Sequence, residues 1–197
     1  MSRMPIDVDI DARLTDIARA TLEVIRVRGT AGLTIRAVAD ALGGSTTLVT
    51  NYLPNRAALL RNAMRIALDE WEAELDAHLA DVPERERLEA AAHWATTTTG
   101  DDHVLRRLFL ETIAHAEADT ELHAALRDDA RQTREYLAQE ADRAQARDPQ
   151  FVADALHLLL RGYYLSSLED PESWPPEQMA ALLTRIIASL IPVEPQE

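Results

Sequence analysis

The chain has no cysteine and no lysine. Without cysteine it has no disulfide, no thiolate metal site and no cysteine nucleophile, which fits a cytoplasmic protein. No apolar run approaches the roughly 20 residues that a membrane span needs. The opening segment, MSRMPIDVDID, is acidic and lacks the apolar stretch of a secretory signal. Period-two alternation is nearly absent, so strands are not expected. There is no nucleophile elbow, no Gly-rich phosphate loop and no metal-ligand spacing among the histidines. A helical enzyme is therefore disfavoured, and no cofactor or metal is expected.

What is present is apolar residues at helical spacing nearly everywhere. Hydrophobic residues make up 47 % of the 197 positions, enough for a core. Nine helices are expected: 10–28, 34–43, 45–53, 55–79, 84–98, 102–117, 120–147, 149–168 and 176–191. The separators are Gly29, the Gly43-Gly44 turn, Pro54, Asp81-Val82-Pro83, Gly100-Asp101, Ala118-Asp119, Asp148-Pro149 and Asp170 to Pro176. In the first helix Leu14, Ile17, Thr21, Val24 and Ile25 face inward. In the second, Ile35, Val38, Ala39 and Leu42 do so.

The net charge of −14 argues against a nucleic-acid partner at first reading. The charge is unevenly spread. Residues 1–60 hold seven Arg and six acids, a net of +1; the remainder holds thirteen Arg and 28 acids, a net of −15. The excess acid lies outside the N-terminal part.

The informative stretch is LTIRAVADALGGSTTLVTNYLPNRAALL, from Leu33 to Leu60. Two short amphipathic helices meet at Gly43-Gly44. Ala39 supplies a small residue for the crossing, and Gly43 suits a turn with positive φ. Leu48, Val49 and Tyr52 can face the first helix. Thr46, Thr47, Thr50 and Asn51 then form a short, polar, uncharged face. Thr methyls can meet thymine methyls, and Asn can pair bidentately with adenine.

Residues 10–60 resemble the DNA-binding domain of the tetracycline-repressor (TetR) family. Arg28-Gly29, Leu33-Thr34, Ala39, Gly43 and Leu59 carry the likeness. Thr50, Leu53 and Arg56 stand where the family usually has Tyr, Phe and Lys, while Tyr52 and Pro54 match a common variant. Around LLLRGYYLSSLEDPESWPPEQ the chain is similar to the BetI-like subgroup. The resemblance implies an all-α, nine-helix TetR-like regulator. A three-helix helix-turn-helix domain would occupy residues 1–54, and a helical ligand-sensing and dimerisation domain residues 55–197. The implied function is a ligand-responsive repressor that binds a palindromic double-stranded DNA operator as a homodimer.

Carried over by residue, the resemblance places Thr34 and Tyr52 on phosphates, with Ser45 at the cap of the recognition helix. Arg36 would reach a guanine or a phosphate. Thr46, Thr47, Thr50 and Asn51 would read bases. Arg56, at the start of the fourth helix, would hold a phosphate. The pocket candidates for an unknown small-molecule effector are Trp71, Trp94, Phe109, Glu111, His115 and Tyr163. Glu111 and His115 share a helix face, as ligand groups or as a simple hydrogen-bonded pair. Leu156, Leu160 and Tyr164 on the eighth helix, with Leu183, Ile186, Ile187 and Leu190 on the ninth, form apolar stripes. They read as a dimer interface or as parts of one core.

Overall fold

The computed structural model describes residues 9–97, 102–116 and 120–191. The expected breaks at Gly100-Asp101 and Ala118-Asp119 lie outside the described residues, as do the first eight residues of the opening segment. Among the described residues there are nine α-helices and no strand. They are α1 (Ile10–Arg28), α2 (Ile35–Ala41), α3 (Thr46–Thr50), α4 (Arg56–Leu79), α5 (Arg87–Thr97), α6 (Asp102–Ala116), α7 (Thr120–Arg143), α8 (Pro149–Glu169) and α9 (Pro176–Leu190). The chain falls into two compact units. One comprises the described residues up to Glu70 with Arg107 to His123; the other runs from Trp71 to Arg106 and from Ala124 onward. Thus α4, α6 and α7 each contribute to both.

Local chemistry sets the helix ends in the first unit. Asp9 Oδ1 accepts from the backbone N–H groups of Asp11 and Ala12, both at 3.1 Å, and so starts α1. Gly29, at φ 69°, ends it, with its N–H on the Ile25 carbonyl. Thr34 Oγ1 accepts from Ala37 N–H at 3.0 Å and caps α2. Asn55 Oδ1 accepts from Ala58 N–H at 2.8 Å and caps α4. The core of this unit includes Ile17, Val24, Ile25, Leu33, Val38, Val49, Leu59 and Leu60. Leu14, Ile35 and Leu42 are half-buried. Two buried polar side chains are satisfied: Thr21 donates to the Ile17 carbonyl, and Asn62 Nδ2 donates to the Leu14 carbonyl at 2.8 Å.

The second unit is a helical bundle in which α9 packs on α5 and on α8. Its core joins Leu88, Ala92, Leu137, Ala141, Val152, Leu156, Tyr163, Met179, Leu183 and Ile187. A smaller cluster holds Leu75, Leu79 and Ala91.

Two expectations require correction. The helix expected over 84–98 opens as a 3-10 turn at Glu84–Glu86 before α5 begins. The helix expected over 120–147 stops at Arg143. There Gln145 takes φ 61°, and the Ala146 N–H bonds back to the Ala141 carbonyl at 2.9 Å. This is a left-handed cap without the usual glycine. The apolar stripes of α8 and α9 divide by burial. Leu156, Leu160, Leu183 and Ile187 are buried within the second unit, Leu183 with 0 % exposure. Tyr164, Ile186 and Leu190 are half-buried. The apolar residues that α8 leaves exposed are Phe151, Leu158 and Leu165.

Because Leu183 is wholly enclosed, Leu183→Ala is expected to destabilise the fold by about 2–5 kcal/mol through lost contacts and a residual cavity. Urea unfolding followed by circular dichroism measures this. A loss below 1 kcal/mol would contradict the packing.

Candidate nucleic-acid interface

The turn between α2 and α3 is the tightest point of the first unit. Gly43 has φ 66°, where a side chain would be strained. Its N–H bonds to the Asp40 carbonyl at 3.0 Å, and the Gly44 N–H bonds to the Ala39 carbonyl at 2.9 Å. Together they close the end of α2. A Cβ at Gly44 would lie 3.2 Å from Leu48 Cδ1, the far end of a side chain in the next turn, so the strict requirement for glycine is at Gly43 alone. Beyond the turn, Val49 is fully buried, and Leu48 and Tyr52 are half-buried. These three give α3 its inner face.

The opposite face is open. Ser45, Thr46, Thr47, Thr50 and Asn51 are all exposed. Ser45 occupies the cap position of α3, but its side chain accepts no hydrogen bond there. Thr34 and Arg36 are exposed as well. The Thr34 oxygen accepts from Ala37 N–H, which leaves its hydroxyl hydrogen free to donate outward. The α2–α3 hairpin therefore displays a row of neutral donors and acceptors, flanked by one arginine.

Arg56 does not extend from this surface. Its Nη1 donates to the Leu33 carbonyl at 3.0 Å. Its Nη2 donates to the Thr30 carbonyl at 2.8 Å and to Glu111 Oε1 at 2.5 Å. The pair is largely enclosed, with side-chain exposures of 31 % and 17 %. Both terminal nitrogens are thus engaged inside the unit, with three of their four N–H groups committed. Arg56 braces the Thr30–Leu33 segment that leads into α2. His115 joins the same group: its Nδ1 lies 2.9 Å from the Glu111 carbonyl oxygen and 3.3 Å from Glu111 Oε1.

The six pocket candidates are divided between the two units. Phe109, Glu111 and His115 belong to the first unit; Trp71, Trp94 and Tyr163 belong to the second. Glu111 neutralises Arg56, so it is not a spare counter-charge. Trp71 and Trp94 do meet, with ring centroids 4.7 Å apart and planes at 55°. Tyr163 instead sits in the main core beneath Arg106, whose guanidinium lies 4.5 Å from the ring centroid and donates to Ser167 Oγ at 2.5 Å. Tyr136 and Glu140 on α7, close to the tryptophan cluster, escaped sequence reasoning. Their i, i+4 spacing is common on charged helices and marks no site by itself.

Comparison with known proteins gives a consistent picture. The family model for the C-terminal domain of BetI-type transcriptional repressors matches residues 83–192. No curated protein matches the chain. Among solved structures, a TetR transcription regulator from Haloarcula marismortui is 18 % identical, with a TM-score of 0.83 over 92 % of this chain and 100 % of that one. A transcriptional regulator from Saccharomonospora viridis, in complex with choline, is 20 % identical, with a TM-score of 0.80 over 90 % of this chain and 95 % of that one. One from Rhodococcus sp. Rha1 is 19 % identical, with a TM-score of 0.79 over 90 % and 95 %.

The Arg56 brace predicts a stability effect. Arg56→Ala is expected to cost about 1.5–3 kcal/mol, since charged hydrogen bonds and their buried acceptors are lost together. In urea unfolding, a double-mutant cycle with Glu111→Gln should give a coupling of at least about 0.5 kcal/mol. Unchanged stability, combined with weaker binding to every DNA sequence, would return Arg56 to the phosphate role.

Proposed function

The chain belongs to the BetI-type branch of the TetR family of transcriptional regulators, and on that basis we propose that it represses transcription as a homodimer on a palindromic operator that a small molecule releases. The family is one of DNA-binding, ligand-responsive regulators rather than enzymes. No helix among the described residues is long and apolar enough to cross a membrane.

The observation that carries the DNA reading is the exposed, uncharged row Thr46, Thr47, Thr50 and Asn51 on a helix whose other face is locked by Val49. Short side chains of this kind approach base edges without paying for ion desolvation. Thr methyls favour thymine, and Asn51 favours adenine. Thr34, Tyr52 and Arg36 serve the phosphate backbone, with Ser45 beside them. Arg36 is the cation on this face, so the salt dependence of binding should be shallow.

A helix of five residues reads only a few base pairs, which favours paired half-sites. Phe151, Leu158 and Leu165 support a dimer. They recur every seven residues on α8 and are 57 %, 69 % and 46 % exposed. Seven residues make about two helical turns, so all three share one face. Ala155 and Gly162 lie between them on the same face and permit close approach of a second helix. The choline bound by the Saccharomonospora viridis regulator supports a small-molecule effector in this chain too.

In sedimentation, Leu158→Asp should convert the dimer to a folded monomer, because it places an unpaired charge in an apolar seam. A folded variant that stays dimeric would place the interface elsewhere. Selection from genomic DNA should recover palindromes whose half-sites lie roughly 34 Å apart. Asn51→Ala should shift preference at one base pair by about 1–3 kcal/mol, while leaving stability within about 0.5 kcal/mol. Recovery of no preferred sequence would overturn the operator reading.

A further inference from the structure

Helix α7 holds two buried polar atoms with no hydrogen-bond partner among the described residues. Tyr136 and Glu140 lie one turn apart on α7, on the same face. Glu140 is 2 % exposed. Its Oε1 accepts from Arg143, and its Oε2 is buried with no hydrogen-bond partner among the described residues. The Tyr136 hydroxyl is equally buried and equally without a partner. Buried polar atoms are nearly always hydrogen-bonded, so two such atoms a turn apart indicate an occupant that bonds to both.

The surroundings say what kind. Tyr136 packs with Trp71 and Trp94 on the same cluster of Leu75, Leu79 and Ala91. The two indoles meet at a tilt, and the His78 ring stacks 6.3 Å from Trp94. Half-buried indole faces attract cations. The local field has the matching sign. Burial, then Glu140 and Asp76, push the Tyr136 hydroxyl up to about 12, with Arg87 and Arg143 opposing less strongly. Arg143 is committed to Glu140 Oε1, and Arg87 Nε donates to the Val82 carbonyl. Among the described residues no trio of metal-ligating side chains occurs, so a metal ion is not served here.

We propose that Trp71, Trp94, Tyr136 and Glu140 form a binding site for an organic cation bearing N–H groups, a protonated primary or secondary amine on an apolar body. The N–H groups are the discriminating feature. The ammonium donates to Glu140 Oε2 and to the Tyr136 oxygen, while the apolar body rests on the indoles. A fully methylated ammonium carries the charge but has no proton to donate. A neutral alcohol leaves the carboxylate uncompensated. The site deepens the small-molecule-effector reading of the preceding subsection and rests on it only for its regulatory meaning.

Calorimetry on the full chain with 2-phenylethylamine, its N,N,N-trimethyl analogue and 2-phenylethanol tests this. The amine should bind at least about tenfold tighter than either relative, as a charge-assisted hydrogen bond implies. Glu140→Gln should weaken the amine by a similar factor, and Tyr136→Phe by less. Both variants should keep wild-type operator affinity without amine, which shows that they fold. Trimethyl analogue and amine binding equally, amine affinity unchanged in Glu140→Gln, or no probe binding at millimolar concentration would each overturn the site; the last outcome would mean that a buried water joins the two groups. Operator affinity measured with the amine bound separates the two readings. Binding at the site with no change in operator affinity upholds the site and overturns only the effector reading.

Discussion

The Arg56 guanidinium is the contact on which the first unit depends. A five-residue helix such as α3 has no stability of its own, because helix nucleation alone outweighs what so few residues return. It holds its direction only because the elements before it are held. Arg56 reaches from the first turn of α4 to the carbonyls of Thr30 and Leu33, which frame the entry to α2. The same side chain bonds Glu111 on α6. One arginine thus ties three segments that are distant in sequence, and a displacement of α6 at Glu111 would be felt at the start of α2 without passing through a loop.

The charge distribution becomes intelligible beside this arrangement. A chain of net charge −14 is a poor partner for a polyanion, unless the acid is unevenly spread along it. The excess acid follows residue 60, and at physiological salt its field decays over about 8 Å. The exposed face of α3 is neutral rather than strongly basic. On the proposed operator, that arrangement would trade non-specific affinity for dependence on base contacts.

The last two long helices show how one sequence feature can serve two roles. α8 is apolar on more than one side. Leu156, Leu160 and Tyr163 enter the core, while Phe151, Leu158 and Leu165 stay outside. Periodicity reports that a helix has apolar stripes, not which of them the protomer uses for itself. The choice falls to α9, which packs against α5 and α8 and brings Leu183 and Ile187 over the inner stripe.

What the sequence alone determined was set by neighbours in the chain. Helical periodicity, the Thr34 cap, the left-handed Gly29 and Gly43, and the proline-led starts of α8 and α9 act within a few residues, so they could be read directly. The exposed Thr46, Thr47, Thr50 and Asn51 face followed from the buried position of Val49 between them. What only the tertiary structure decided depends on distant partners. Gln145 ends α7 in a conformation that glycine usually takes, with Arg85, 60 residues away, donating to its side chain at 2.7 Å. Arg56 turned inward because Thr30, Leu33 and Glu111 offer it three oxygens, which no local pattern announces. Glu140 looks like one more acid on a charged helix until packing buries it beside Tyr136. Hydrogen bonding and burial between remote segments are properties of the assembled fold, whereas caps, turns and periodicity are properties of the chain.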